Sequence, residues 1–212
     1  MIRVVICDDQ PLIRSGFRMI LESDGDIEVV GEASDGFSAV EVVKSQRPDV
    51  VLMDVRMPHR DGISATREIE ESKVIILTTF SLDEYVVDAL RAGASGFLLK
   101  DTTPDELIKA IKLVYAGDAV LSPEVTRTVV EMASGRLVMQ PQENKVEIEL
   151  SAREVDVLKL IAGGLSNSEI AAKLYLSEAT VKSHVSHLLS KLGVRDRVQA
   201  VIYAYDRGIV GS

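Results

Sequence analysis

VVLMDVRMPHRDG, residues 50–62, opens on four apolar residues, reaches Asp54, and breaks at Pro58 and again at Asp61 and Gly62. A continuous Val- and Leu-rich run bounded by turn residues reads as a strand buried on both faces, the pattern of a parallel sheet. Asp54 therefore stands where a strand ends. Working outward, similar runs occur at 4–7, 27–33, 74–77 and 96–99. Helical periodicity fills the gaps, at 11–23, 36–46, 62–71, 82–92 and 104–116. Ser81 with Glu84 is a helix-start signal, and so is Thr103 with Pro104 and Glu106. Five strands alternating with five helices predict an α/β, doubly wound, five-stranded parallel sheet. Such sheets gather ligand-handling groups at the carboxyl ends of their strands.

Beyond residue 120 the pattern changes. A further helix is expected from Ser122 and Pro123 to about residue 134, followed by an aperiodic linker at 135–145. Residues 151–212 carry no strand signal and predict a small all-α domain. Ser151 with Glu154 and Ser166 with Glu169 read as capping boxes. Gly163 and Gly164 end one helix, Ser177 caps the next, and Gly193 ends that one. A chain of 212 residues suits two domains. Its 46% hydrophobic content excludes a disordered tail. One cysteine, Cys7, excludes a disulfide framework or a cysteine-based metal cluster and suits a reducing cytoplasm. The N-terminus has no signal-peptide pattern, and no apolar run is long enough for a membrane span.

The net charge of −9 argues, for the whole chain, against a nucleic-acid binder. The charge is unevenly divided. Residues 1–150 hold 16 basic and 27 acidic side chains, whereas 151–212 hold 8 basic and 6 acidic. The acidity belongs to the first part, and the second is free to meet a polyanion.

Asp8 and Asp9 follow the first strand, Asp54 the third, Thr78 ends the fourth and Lys100 the fifth. One such residue would be an ordinary solvated strand end. Five at separate strand ends predict a site on one sheet edge. Three close carboxylates repel, so a divalent cation is their natural partner, and Mg2+ suits an all-oxygen set. One carboxylate can then act as nucleophile toward a phosphoryl group, forming an acyl phosphate. Lys100 and the Thr78 hydroxyl would hold its oxygens. The first turn, CDDQPLIRSG, lacks the glycine pattern of a dinucleotide site.

These residues resemble the receiver domain of two-component response regulators, the CheY-like fold. The resemblance is carried by Cys7-Asp8-Asp9, Asp54-Val-Arg-Met-Pro58, Asp61-Gly62, Leu77-Thr78, Gly93-Ala-Ser-Gly-Phe97 and Lys100. It implies strand order 2-1-3-4-5 and Asp54 as phosphoacceptor, with Thr78 and Lys100 completing the catalytic set. It also implies Mg2+ on Asp9 and Asp54, with Asp8 helping through water and the Arg56 backbone carbonyl as a further ligand. Thr78 and Phe97 match the family's switch pair, although Phe97 also suits a plain core position. Arg56 and Phe80 match positions that tune acyl-phosphate hydrolysis. Cys7, inside a strand, is read as an inert core residue. The connection from Gly62 to Thr78 is shorter than in many relatives, so the third helix or its exit is expected to be trimmed.

Residues 166–192, SNSEIAAKLYLSEATVKSHVSHLLSKL, place Ile170, Ala171 and Leu174 on one apolar face. Val181, Val185, Leu188 and Leu192 form another. Two short helices joined by a tight turn predict a helix-turn-helix. The second helix has polar positions at Thr180, Lys182, Ser183, Ser186 and His187, suited to base edges and phosphates. The segment resembles the LuxR-type helix-turn-helix of the NarL/FixJ family. Carrying residues include Arg153-Glu154, Leu165-Ser166-Asn167, Glu169-Ile170-Ala171, Thr180-Val181-Lys182, His184, Lys191-Leu192 and Arg197. It implies a helix-turn-helix at about 167–186, a recognition helix at 177–192, and Asn167 among the DNA contacts. His184 would face inward, Ser186 stands where some relatives carry lysine, and a last helix at about 195–207 would be a dimer surface.

The expectation is a response regulator with a receiver at 1–120, a helix and linker at 121–146 and a DNA-binding domain at 147–212. Its partners would be a sensor histidine kinase and double-stranded promoter DNA. It would form a homodimer when phosphorylated, use Mg2+, avoid membranes and catalyse only its own phosphorylation and dephosphorylation. Two other classes compete. A phosphatase would need a second acid–base residue after Asp54, where Arg56 and Met57 stand. A DNA-binding protein indifferent to phosphorylation would have no use for the complete Asp8, Asp9, Asp54, Thr78 and Lys100 set.

Overall fold

Six parallel strands form one sheet, ordered β2-β1-β3-β4-β5-β6. They are β1 (Ile2–Cys7), β2 (Ile27–Ala33), β3 (Val50–Asp54), β4 (Lys73–Thr78), β5 (Gly96–Leu99) and β6 (Val120–Leu121). The helices between them are α1 (Pro11–Glu22), α2 (Gly36–Gln46), α3 (Gly62–Thr66), α4 (Asp83–Ala92) and α5 (Pro104–Ala116). The computed structural model describes residues 1–79, 83–118, 120–121 and 148–210. The Ser81–Glu84 capping pair, Phe80, the expected helix at 122–134 and the linker at 135–145 lie outside the described residues. The chain divides into two compact units, 1–128 and 129–212.

The expected five-strand order 2-1-3-4-5 is present. β6 extends it: Val120 and Leu121 pair in parallel with Gly96 and Phe97. Two residues are too few to show a period, so this strand carried no sequence signal. The strands are buried because both sheet faces are covered. Val4, Ile6, Leu52, Ile75 and Leu77 pack with Phe17 and Leu21 of α1 and with Leu107, Ile111 and Val114 of α5. The alternate positions face the opposite side, where α2 meets β1 and β2 and α3 meets β3.

The third helix is trimmed, as the short connection to Thr78 implies, and its far bound is a correction. The pattern suggested 62–71, but α3 stops at Thr66. The Thr66 hydroxyl donates to the Gly62 carbonyl at 2.7 Å. The amides of Glu68 and Ile69 then bond three residues back, to Ala65 and Thr66. This tightening ends the helix, and the chain reaches β4 at Lys73. Thr103 and Glu106 form the expected capping box. Asp35 and Ser38 form another that the sequence reading missed.

The second unit is helical: α6 (Ala152–Ala162), α7 (Asn167–Leu174), α8 (Glu178–Leu192) and α9 (Arg197–Asp206). Both expected boxes, Ser151 with Glu154 and Ser166 with Glu169, are formed. Ser177 caps α8 rather than starting it, accepting from the Thr180 amide. Val157, Leu158, Ile161, Ile170, Val181, Val185, Leu188 and Leu192 share one core with Ala200 and Ala204. Burying each large side chain contributes roughly 1.5–3 kcal/mol, which holds four short helices that would not persist alone. Among the described residues, no helix is long and apolar enough to cross a membrane.

Gly62 lets the loop after β3 close on the strand end. Its amide donates to the Val55 carbonyl at 3.0 Å. A Cβ at this position would fall 1.9 Å from the Asp54 carbonyl oxygen and 2.8 Å from the Met53 side chain. Gly62→Ala is expected to cost roughly 1–3 kcal/mol or more, because backbone must move. Thermal unfolding should show a clearly lower midpoint; an unchanged midpoint would mean that the loop yields freely.

Candidate functional site

Each acidic residue of the cluster in the first unit is delivered by a strand end. Asp8 and Asp9 follow β1, Asp54 is the last residue of β3, and Lys100 follows β5 directly. Asp8 and Asp54 are buried, whereas Asp9 is exposed. One oxygen from each of the three carboxylates lies within 4.8 Å of the others. The Lys100 ammonium bridges two of them. It donates to Asp54 Oδ2 at 2.8 Å and lies 2.6 Å from Asp8 Oδ2. The Asp8 contact is a close ion pair. One ammonium against three carboxylates leaves the cluster negative.

The electrostatics follow from burial. Desolvation pushes the Asp54 carboxyl above its ordinary value, and the Lys100 hydrogen bond pulls it back only in part. Burial works against the Lys100 charge, but its bonds to Asp54 and Asp8 outweigh that and hold the amine above its usual range. The donor set is all oxygen, partly dehydrated and short of positive charge. It fits Mg2+, which takes carboxylates and waters and seldom needs a complete protein cage.

Two further features frame the cluster. A cleft of about 460 Å³ adjoins it, lined by Asp9, Val55, Arg56, Met57, Pro58, Asp61, Ile63 and Tyr85. The Arg56 guanidinium lies over the Tyr85 ring of α4, 5.6 Å from its centroid. The Arg56 amide also points to Asp54 Oδ1 at 3.4 Å. Thr78 and Phe97 are both buried. Phe97 is in register with Ile76. Thr78 lies two residues beyond Ile76, so it and Phe97 share a sheet face. Cys7 is buried, and desolvation pushes its thiol far up, as an inert core residue requires.

In the second unit, α7 and α8 are joined by Tyr175, Leu176 and Ser177, with Tyr175 in the left-handed region at φ 56°. Glu178, Thr180, Lys182, Ser183, Ser186 and His187 are exposed on α8, and His184 is half-buried. Four candidate contacts already have partners. The Thr180 hydroxyl lies 2.7 Å from that of Ser177, and Lys182 lies 3.8 Å from Glu178. Asn167 Oδ1 accepts from Arg197 Nη1 at 3.2 Å. His187 Nδ1 lies 3.7 Å from Glu154. Glu154 also receives Lys191 Nζ at 2.6 Å and the Ser151 amide at 2.8 Å. Lys191 thus ties α8 to the start of α6.

The comparisons with known proteins agree with this division. Residues 4–112 match the response regulator receiver domain, and residues 149–204 match the bacterial regulatory proteins of the luxR family. The chain is 44% identical to the transcriptional regulatory protein YxjL of Bacillus subtilis, over 99% of this chain and 97% of that protein. It is 38% identical to the nitrate/nitrite response regulator NarL of Escherichia coli, over 97% and 96%. The chain belongs to the NarL/FixJ family of response regulators. A solved structure of two RcsB dimers bound to two parallel DNAs matches 97% of this chain and 98% of that chain. It does so at 27% identity and a TM-score of 0.56. The regulator is a DNA-binding transcription factor of a two-component system, not an enzyme.

Cross-element partners of this regulator were not readable from its sequence. Arg56 with Tyr85, Asn167 with Arg197 and Glu154 with Lys191 join residues from separate helices or loops, and no spacing rule connects them.

Two expectations follow. Lys100→Met removes the ammonium that offsets two buried carboxylates. In a chelating buffer it should cost about 2 kcal/mol, and added Mg2+ should raise the variant's unfolding midpoint more than the parent's. Equal Mg2+ responses would place the cation elsewhere. In the second unit, Glu154 is pulled down to about 2 from an ordinary 4.5, chiefly by the Lys191 hydrogen bond and then by the Ser151 amide. Its stabilisation is complete above about pH 4.5 and disappears as pH falls through about 2. Glu154→Gln should therefore unfold earlier than the parent at pH 7, and the gap should narrow below about pH 4.5. A constant gap at every pH would deny the carboxylate this role.

Proposed function

We propose that Asp54 accepts a phosphoryl group from a sensor histidine kinase and that this event controls dimerisation and promoter binding. The observation that carries the reading is the Lys100 bridge to Asp8 and Asp54, at 2.6 and 2.8 Å, beside the exposed Asp9. In the transfer, an Asp54 carboxylate oxygen attacks phosphorus and forms the acyl P–O bond. The P–N bond of the donor phosphohistidine breaks, and the imidazole leaves with the bonding pair. Lys100 and the Thr78 hydroxyl would hold the oxygens of the transferred group. Asp8, Asp9, Asp54 and the Arg56 carbonyl are the residues that would hold Mg2+, which when bound offsets the charge of carboxylates and phosphoryl oxygens together.

The output follows from the same elements. A Thr78 hydroxyl drawn toward the phosphoryl group vacates space for Phe97 on the shared sheet face, a bistable packing change driven by a local charge. The helix-turn-helix then binds double-stranded promoter DNA through α8, with Thr180, Lys182, Ser183, Ser186 and His187 as contacts and Asn167 at the start of α7. A homodimer of phosphorylated chains places two recognition helices on paired half-sites, a reading supported by the likeness to RcsB, whose dimers bind DNA. The working parts are the receiver at 1–120, the helix and linker at 121–146 and the DNA-binding domain at 147–212. The setting is the cytoplasm, where a kinase and DNA are both within reach.

Asp54→Asn removes the nucleophilic oxygen and leaves the shape of the site intact. With a small-molecule phosphodonor and Mg2+, wild type should gain one phosphoryl group by intact mass, and the variant none. Labelling that persists in the variant would move the acceptor to another residue.

A further inference from the structure

The outward face of α8 holds few groups that can distinguish one base pair from another. Ala179, Thr180, Ser183 and Ser186 are exposed but short. A hydroxyl donates and accepts, so it separates bases poorly. His187 leans toward Glu154, and Lys191 is held by it. Glu178 and Lys182 remain. They lie one turn apart at the start of α8, the part of a recognition helix that enters the major groove. Their side chains keep 55% and 67% of their exposure. Among the described residues, each has the other as its ion partner, at a loose 3.8 Å.

A carboxylate here opposes binding to a polyanion unless a base edge answers it. Cytosine N4 is the base-pair donor that a carboxylate accepts from in the major groove, and guanine O6 and N7 are the acceptors that a lysine addresses. In one C·G pair, N4 and O6 are themselves joined by a hydrogen bond of about 2.9 Å. An acceptor and a donor head held 3.8 Å apart match those neighbouring groups. We infer that Glu178 and Lys182 act as one unit and read a single C·G base pair in each half-site. Glu178 accepts from cytosine N4, and Lys182 donates to guanine O6 or N7. The inference rests on α8 being the DNA interface and adds the specificity-determining residue that the sequence reading left out.

A competing role for Glu178 is purely local, since an acid in the first turn of a helix favours the helix dipole. Selection from a pool of duplexes with a randomised core, using the full-length chain treated with a phosphodonor, separates the two. Wild type should select a motif with one strongly preferred C·G position per half-site. Glu178→Gln should weaken preference at that position by roughly tenfold, keep the rest of the motif, and leave the far-ultraviolet dichroism unchanged. Glu178→Ala should bind random duplexes more tightly than wild type while losing the same position. A wild-type motif without such a position, an unchanged motif in Glu178→Gln, or an equal gain on all sequences in Glu178→Ala would each overturn the inference. Lys182→Ala tells the two readings apart. If it weakens binding while Glu178→Gln leaves the motif intact, only the inference fails. If it changes nothing, α8 is not the interface and the underlying reading fails with it.

Discussion

A single ammonium organises the receiver. Lys100 leaves the end of β5 and reaches Asp54 on β3 and Asp8 after β1. In the strand order 2-1-3-4-5, β4 lies between them. Strands sit about 4.8 Å apart, so the side chain must cross the width of β4 to make its contacts. That requirement shapes the neighbouring positions. The last residue of β4 must be small enough to leave the path open and polar enough to share it, and Thr78 is both. The loop after β3 must fold close to Asp54 without filling the site, and Gly62 allows that. Ion pairs this deep in a protein seldom add much net stability, because desolvation offsets the attraction. Here the arrangement specifies position: carboxylates from two strands are held at one point with a surplus of negative charge.

The surplus is the functional quantity. A neutralised cluster would have nothing to offer a divalent cation. An uncompensated one would push the strand ends apart. One lysine against three carboxylates lies between those limits. The same balance explains why Asp54 is held above its ordinary pKa while its lysine partner is also held high. Each group is desolvated, and Lys100 gains two carboxylates for its loss, whereas Asp54 gains Lys100, a long bond from the Arg56 amide and a repelling neighbour in Asp8.

Much of this was legible because it is local. Fully apolar runs mark buried parallel strands, so the residues following them must share an edge, and Asp8, Asp9, Asp54, Thr78 and Lys100 were placed together on that ground alone. The parts that were not legible have physical reasons. The apolar period continues past Thr66 into Ile69, but a hydroxyl bonding back to Gly62 and two short-range amide bonds end α3 first. β6 is two residues long and has no period to read. Asp35 caps α2 with Ser38 where the usual signal is a glutamate or glutamine. The hydrogen bond that Arg197 donates to Asn167, thirty positions earlier, joins two helices that no spacing rule connects.

The same bookkeeping by partner, rather than by letter, changes the meaning of the charge on the second unit. Residues 151–212, with 8 basic and 6 acidic side chains, suggest a mildly cationic head. Lys191 faces Glu154, Arg197 is bonded to Asn167 and to the Leu165 carbonyl, and Lys182 has Glu178 beside it. The recognition face therefore projects little net positive field, and counterion release from phosphate contacts gives a single head weak affinity. Two linked heads differ in kind: once one is bound, the second meets its half-site at the effective concentration set by the link. A reading head with so little free charge makes occupancy depend on pairing. If the proposed phosphoryl switch controls pairing, the weakness of one head is what would let phosphorylation govern binding.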